Sequence, residues 1–259
     1  MVEKRENKNL RILIQFLFLL LWPKIFSSVL TAEITSKRLL AFHFDKIEAK
    51  GALTVFVEPG KRLRQIEYFA DSSIIDTVTA SVKNRTLYLD ANNSFMLTRK
   101  IPLLRLSAQR TFPIEVIVSI DQLSEISLLE NSSAKINGIS GDKLKLYHNS
   151  SGSLELVNSN IENINILQEG SGNIILKGRD TLELNAKIFG RGSLYCEELF
   201  LNSAVVRHYG SGQIMIAPSK WLDGQILNTG NLHLLEKPLG KVLKNEGKGG
   251  KIIEEYSSN

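Results

Sequence analysis

The chain is poor in the residues that carry most metal and redox chemistry: among 259 residues there are one cysteine and four histidines. A single cysteine excludes a disulfide framework within the chain, and His43, His148, His208 and His233 show no metal-ligand spacing. Only six prolines and 7% aromatics are present, so there is no Pro-rich linker and no collagen-like repeat. No segment after residue 36 keeps a 3.6-residue apolar period, which removes the helical classes. Charge of one sign is also scarce. Residues 1–32 hold five Lys or Arg and two Glu, leaving 27 basic against 25 acidic residues in the rest, or +2. That balance points away from a nucleic-acid partner. At 43% hydrophobic and 23% charged, the composition is that of a folded globular chain.

What is present begins with a targeting segment. A basic stretch, Lys4 to Arg11, precedes the apolar run Ile12 to Trp22, which Pro23 and Lys24 interrupt. A bilayer-spanning helix needs about 20 apolar residues, so eleven suit a signal-peptide core, with Ser27, Ser28, Thr31 and Ala32 where cleavage falls. Residues 1–32 are therefore read as a signal peptide. The rival is an uncleaved anchor tilted through the membrane from Ile12 to Leu30, the one route by which this chain would meet a membrane. No cysteine lies nearby to carry a lipid. Export would place the body in the periplasm, at the cell surface or outside the cell, where a lone thiol is tolerable if buried.

The body reads as many short strands. Alternating runs such as Leu53-Val55-Val57, Ile114-Val116-Val118-Ile120 and Leu144-Leu146 are separated by Gly, Asn, Ser and Asp clusters. From Asn149 the sequence repeats in blocks of 20 that place Gly152, Gly172, Gly192 and Gly212 in one column. Behind them run apolar columns: Leu154, Ile174, Leu194, Ile214 and Leu232, then Leu156, Leu176, Cys196, Ile216 and Leu234. Further on come Ile164, Leu184 and Ala204, and then Ile166, Ala186, Val206 and Ile226. One apolar residue per column per block suits a coil whose windings stack. An antiparallel meander has no need of equal blocks, because its hairpin loops vary freely. The fold class is all-β: a parallel β-helix-like solenoid of about 20 residues per turn in one domain over residues 37–256. Residues 37–130 form irregular first turns and residues 131–256 the regular Gly-Ser-Gly repeats.

The glycine row is assigned to corners that take positive φ. A phosphate-cradling loop would need a strand–loop–helix unit and usually a lysine, and no helix follows here. Cys196, in an inward column, is expected to be a buried small hydrophobe. Ile252 to Tyr256 is expected to cover the last turn's open edge. Asn-x-Ser/Thr triplets begin at Asn84, Asn92, Asn131 and Asn149; they are read as turn residues.

The order of these segments carries a resemblance. An F-x-x-I-x-x-x-G opening (Phe44, Ile47, Gly51) leads through Ser81 to Leu89, Pro113 to Val118 and Leu123 to Ile126 into the G-S-G-[DN]-[ILV] rows, clearest at Gly170 to Ile174. The chain thereby resembles the bacterial family called putative auto-transporter adhesin, head GIN domain, over roughly residues 40–254. The resemblance implies an exported, right-handed β-helix-like domain of the cell envelope and no established activity. The sequence departs from the motif in its first row, Asn131 to Ala134, and at Arg191.

Chemistry is sparse on the outward columns. Asn163, Glu183, Ser203 and Asp223 are read as one column. Its two carboxylates would stand two turns apart, ~9.6 Å by strand spacing, at the far end of the range for an inverting glycosidase pair. Lys187 and Arg207 form another column. The candidate site is an apolar column facing outward, Ile175, Tyr195 and Met215, read either as a binding stripe or as a strip covered by the N-terminal segment or by Ser94 to Thr111. The expectation is a non-enzymatic envelope protein, an adhesin or binding domain for a surface ligand, glycan or envelope protein, with no catalytic residue, cofactor or metal. The alternatives are a structural or accessory periplasmic protein of a signalling system, and a glycan-active β-helix enzyme.

Overall fold

The computed structural model describes residues 34–41, 43–60, 65–72, 74–91 and 114–256. Residues 1–32, read from sequence as a signal peptide, the Asn92 triplet and the Ser94 to Thr111 segment lie outside the described residues. Among those described, seventeen strands form one continuous ladder. The first nine are β1 (Ile34–Leu40), β2 (Lys46–Lys50), β3 (Thr54–Pro59), β4 (Gln65–Asp71), β5 (Thr79–Lys83), β6 (Thr86–Asp90), β7 (Glu115–Ile120), β8 (Glu125–Glu130) and β9 (Ser133–Asn137). The rest are β10 (Ser140–Ser150), β11 (Leu154–Gln168), β12 (Ile174–Ile188), β13 (Leu194–His208), β14 (Gln213–Ile226), β15 (Asn231–Leu234), β16 (Gly240–Asn245) and β17 (Ile252–Glu254).

From β8 onward every pairing is parallel. Each long strand bends once and so supplies two sides of a winding. Leu154, Ile174, Leu194, Ile214 and Leu232 are successive register partners, as their sequence columns require. Ala134 and Val55 extend that column upstream. A second inward column runs Leu87, Ile47, Ile126, Leu146, Ile166, Ala186, Val206. All of these are buried. An isolated winding could not bury its apolar side; stacking makes the core continuous, so each winding is stable only against its neighbours. The fold is a β-solenoid, as the equal blocks predict.

Two features depart from the sequence columns. Ile226 is not under Val206; Val206 faces Gly224, and Ile226 faces His208. The register changes at the second corner, where Cys196 faces Ile216 but Leu201 faces Pro218. β14 thus turns the corner in fewer residues than β13, and everything after it moves up by two.

The amino-terminal turns are also stacked out of chain order. β2 and β3 lie between β6 and β7 on one side and β8 and β9 on the other. Antiparallel strands finish that end: β4 on β7, β1 on β4, and β5 on β6. The β5–β6 hairpin turns on Asn84 and Arg85, both at positive φ (51° and 61°), the backbone of a type I′ turn. In the family-like opening, Phe44 and Ile47 are buried and Gly51 has φ 90°, a conformation that asks for glycine. At the other end Ile252 and Tyr256 pack on the core. There Glu254 accepts a hydrogen bond from the Tyr256 hydroxyl and pairs with Lys241 at 2.6 Å.

The glycine row has a different cause from the one expected. Positive φ among the described glycines falls at Gly51, Gly138 and Gly249, not in the row. The requirement is close approach: a Cβ on Gly172 would lie 1.8 Å from the Gly152 carbonyl oxygen, on Gly192 1.9 Å from that of Gly172, and on Gly212 2.1 Å from that of Gly192. Positive φ appears at the second corner instead, at Asn158 and Asp180. Buried polar side chains close the first corner from inside. His148 Nε2 meets the Gly152 carbonyl at 2.8 Å, Gln168 Nε2 donates to Gly172 O at 2.6 Å, and His208 Nε2 meets Gly212 O at 2.8 Å. Each satisfies a carbonyl that the winding would otherwise bury unpaired.

Candidate ligand-binding face

The outward column next to the Leu154 column reads Lys135, Glu155, Ile175, Tyr195, Met215, His233, Ile253 in unbroken register. Ile175, Tyr195 and Met215 come together as the columns predict, each half-buried, about 4.8 Å apart along the ladder. An ion pair and a histidine–carboxylate hydrogen bond frame them. Lys135 pairs with Glu155 at 3.3 Å on one side, and His233 Nδ1 meets Glu255 at 2.5 Å on the other. Their inward neighbours Leu154, Ile174, Leu194 and Ile214 are fully buried, so the stripe stands on a packed floor. Beside it lies a shallow cleft of about 290 Å³ lined by Glu155, Ile175, Lys177, Tyr195, Glu197 and Glu198.

Two further surfaces were not singled out from sequence. At the first corner the rings of Phe189 and Tyr209 stack, with centroids 4.5 Å apart and planes 4° apart. They are 48% and 39% exposed, and Phe189 borders a cleft that also includes Glu169, Arg191 and Asn228. The signal was available: the two rings stand 20 residues apart, at the head of successive blocks. At the second corner a cleft of about 460 Å³ is lined by Asp180, Leu182, Glu197, Glu198, Phe200 and Glu236, among others. Its cause is the excess of residues between Cys196 and Leu201, and only the unequal corner lengths could have revealed it.

The outward acid column does not survive. Glu183 faces Ser203, but Ser203 faces Trp221, and Asp223 lies beside Val205. Asp223 is held by Arg207 through two hydrogen bonds, 2.6 and 3.0 Å. Glu183 accepts from Asn185 at 3.0 Å. The two carboxylates therefore do not share a column, and one is engaged by a guanidinium. Lys187 and Arg207 are register partners as expected, yet Arg207 is committed to Asp223.

The other singled-out side chains sit in the core. Cys196 is fully buried and free. Burial, with a further push from the neighbouring Glu197 charge, drives its thiol pKa upward, which suppresses the nucleophilic thiolate. His148 and His208 are buried, three windings apart in one column. Burial pushes both imidazoles below their ordinary pKa, opposed by the hydrogen bonds to the Gly152 and Gly212 carbonyls. Among the described residues no three His, Cys, Asp or Glu are grouped as metal ligands, and no helix is long and apolar enough to cross a membrane.

The fold recurs in solved structures. A crystal structure of a putative adhesin from Bacteroides fragilis NCTC 9343 superposes with a TM-score of 0.73 at 17% identity, over 86% of this chain and 98% of that one. A putative adhesin from Parabacteroides distasonis ATCC 8503 gives 0.58 at 17% identity, with the same shares covered. A putative lipid binding protein from the same strain gives 0.57 at 15% identity, again over 86% and 98%. Comparison with curated proteins gives no match. At such identities the likeness establishes the fold alone. The family profile described as putative auto-transporter adhesin, head GIN domain, matches residues 43–238, and the chain, with its Phe44–Ile47–Gly51 opening and glycine-cornered solenoid, belongs to that family.

Proposed function

We propose that this protein is an exported, non-enzymatic binding protein of the cell envelope, an adhesin that holds a surface ligand, a glycan or another envelope protein, against Ile175, Tyr195 and Met215. The observation that carries the reading is the stripe itself: three apolar side chains in register and facing outward between the Lys135–Glu155 ion pair and the His233–Glu255 hydrogen bond. A stripe on a closely packed floor is preorganised, so little ordering entropy opposes binding. Tyr195 adds an aromatic face with a polar tip, a chemistry suited to both sugars and peptides. The separation of Glu183 from Asp223, and the capture of Asp223 by Arg207, support the non-enzymatic part. Export is supported by the apolar run after Lys4 to Arg11 and by membership of an adhesin family.

The test uses purified residues 33–259 on a glycan array and against a panel of purified envelope proteins. A defined ligand should bind at least tenfold more weakly to Tyr195→Ala and Met215→Ser at unchanged melting temperature. Binding that ignores both substitutions would place the site elsewhere. Polysaccharide turnover abolished by Glu183→Gln would overturn the non-enzymatic reading.

A further inference from the structure

We infer that the cleft at the second corner is a separate docking site for a cationic, extended protein segment that carries at least one large apolar side chain. The inference goes beyond the stripe: the two clefts adjoin and share Glu197 and Glu198, while Asp180, Phe200 and Glu236 line the corner cleft alone. The cleft exists because the segment from Cys196 to Leu201 is opposed by the much shorter one from Ile216 to Pro218. Glu198 and Leu199 still pair with Lys177 and Gly178 of β12, but no residue between Cys196 and Leu201 has a partner in β14, so that stretch of β13 stands as a wall beside a missing floor. The resulting space is about 460 Å³.

Its lining combines two chemistries. Phe200 is 72% exposed and Leu182 47%, a large apolar area to leave in water. Asp180, Glu197, Glu198 and Glu236 supply four exposed carboxylates, and no Lys or Arg lines the cleft among the described residues. Lys177, in the adjoining cleft, is engaged by Glu198 at 2.6 Å, and Arg179, Lys220 and Lys237 flank lining residues in sequence without lining the cleft themselves. This negative pocket sits on a chain whose body is otherwise close to neutral and slightly basic.

The combination selects among occupants. With Glu198 engaged by Lys177, the carboxylates of Asp180, Glu197 and Glu236 remain to repel an anionic lipid surface. Among the described residues no three acidic groups converge as metal ligands. A simple polyamine would meet the charges and leave Phe200 uncovered. An extended peptide that carries both basic and large apolar side chains meets both chemistries of the lining. The cleft crosses the windings of β12, β13 and β14 and reaches Glu236 beyond β15. That span is about 14 Å by strand spacing, matched by roughly four residues of extended chain.

The probe is a fluorescein-labelled heptapeptide, Lys-Leu-Lys-Phe-Lys-Leu-Lys, titrated against residues 33–259 by anisotropy. Its controls are heptalysine and the same sequence with Glu in place of Lys. The cationic amphipathic peptide should bind at least tenfold more tightly than either control. Phe200→Ser, and separately Asp180→Asn with Glu236→Gln, residues that line the corner cleft and not the one beside the stripe, should each weaken it fivefold or more, while Tyr195→Ala leaves it unchanged. All these substitutions are at the surface, and melting curves check that the variants fold. Equal affinity for heptalysine would overturn the proposal, because charge alone would then suffice. Insensitivity to both cleft variants would also overturn it, as would loss on Tyr195→Ala with retention in Phe200→Ser. Binding that survives Tyr195→Ala and fails in Phe200→Ser upholds the cleft even if the stripe has no ligand.

Discussion

Replacing Gly172 by alanine inserts one methyl group where two windings touch. The new Cβ would stand 1.8 Å from the Gly152 carbonyl oxygen, 2.6 Å from its carbon and 2.9 Å from His148 Cε1. Ordinary contact needs well over 3 Å, and the first two obstacles are backbone atoms that no rotamer change can move. Overpacking costs about 1–3 kcal/mol where side chains can give way. Here the ladder must separate locally, so the upper end applies, ~3 kcal/mol. For a chain of this size that corresponds to a fall in melting temperature of roughly 6–12 °C. Gly141 provides the contrast. Its Cβ would meet only Ile161 Cδ1 at 3.9 Å, so Gly141→Ala should be neutral or raise stability by about 0.5–1 kcal/mol through the unfolded chain. Thermal unfolding of residues 33–259, followed by circular dichroism, compares the two. Equal shifts in the two variants would refute the close-approach explanation, and a tolerated Gly172→Ala would mean that the windings do not stack on this corner.

Three other outcomes follow from the buried polar groups. His148 and His208 have pKa values lowered by burial, so the unfolded chain binds more protons between the folded value and about 6.5. Stability is then fully present above pH 6.5 and declines as pH falls through that window; melting at pH 7.5 should exceed that at pH 5. His148→Gln and His208→Gln, which copy the side chain of Gln168 in the same column, should flatten this dependence in melting curves, and an unaltered slope would assign it to other groups. Cys196 should resist a thiol reagent in the native protein and react fully in 6 M guanidinium; prompt native labelling would contradict its burial.

The regular half of the fold was legible because its information is repetitive. Columns at a spacing of 20 place Leu154 over Ile174 and Tyr195 beside Ile175, and both hold. The same rule misplaced Asp223 and Ile226, because one corner is shorter and a fixed spacing cannot register a change of turn length. The glycine row was legible as a row, but its cause was not. Positive φ is a local property, whereas contact with the preceding winding depends on the stacking itself. The out-of-order placement of β2 and β3 left no sequence trace, since their partners β6, β7, β8 and β9 share no common spacing with them. The stripe needed only the period to be found. The corner cleft needed the register, and it stayed hidden for that reason.

Cysteine cross-linking tests most directly whether neighbouring windings place Ile175 against Tyr195. In a Cys196→Ala background, Ile175→Cys with Tyr195→Cys puts two thiols on register partners, within the span a disulfide bridges. Ile175→Cys with Met215→Cys puts them two windings apart, about 9.6 Å by strand spacing, beyond that span. Mild oxidation should close the first pair quantitatively within a monomer and leave the second open. Closure of the second pair, or of neither, would contradict the stacked register on which the binding face rests.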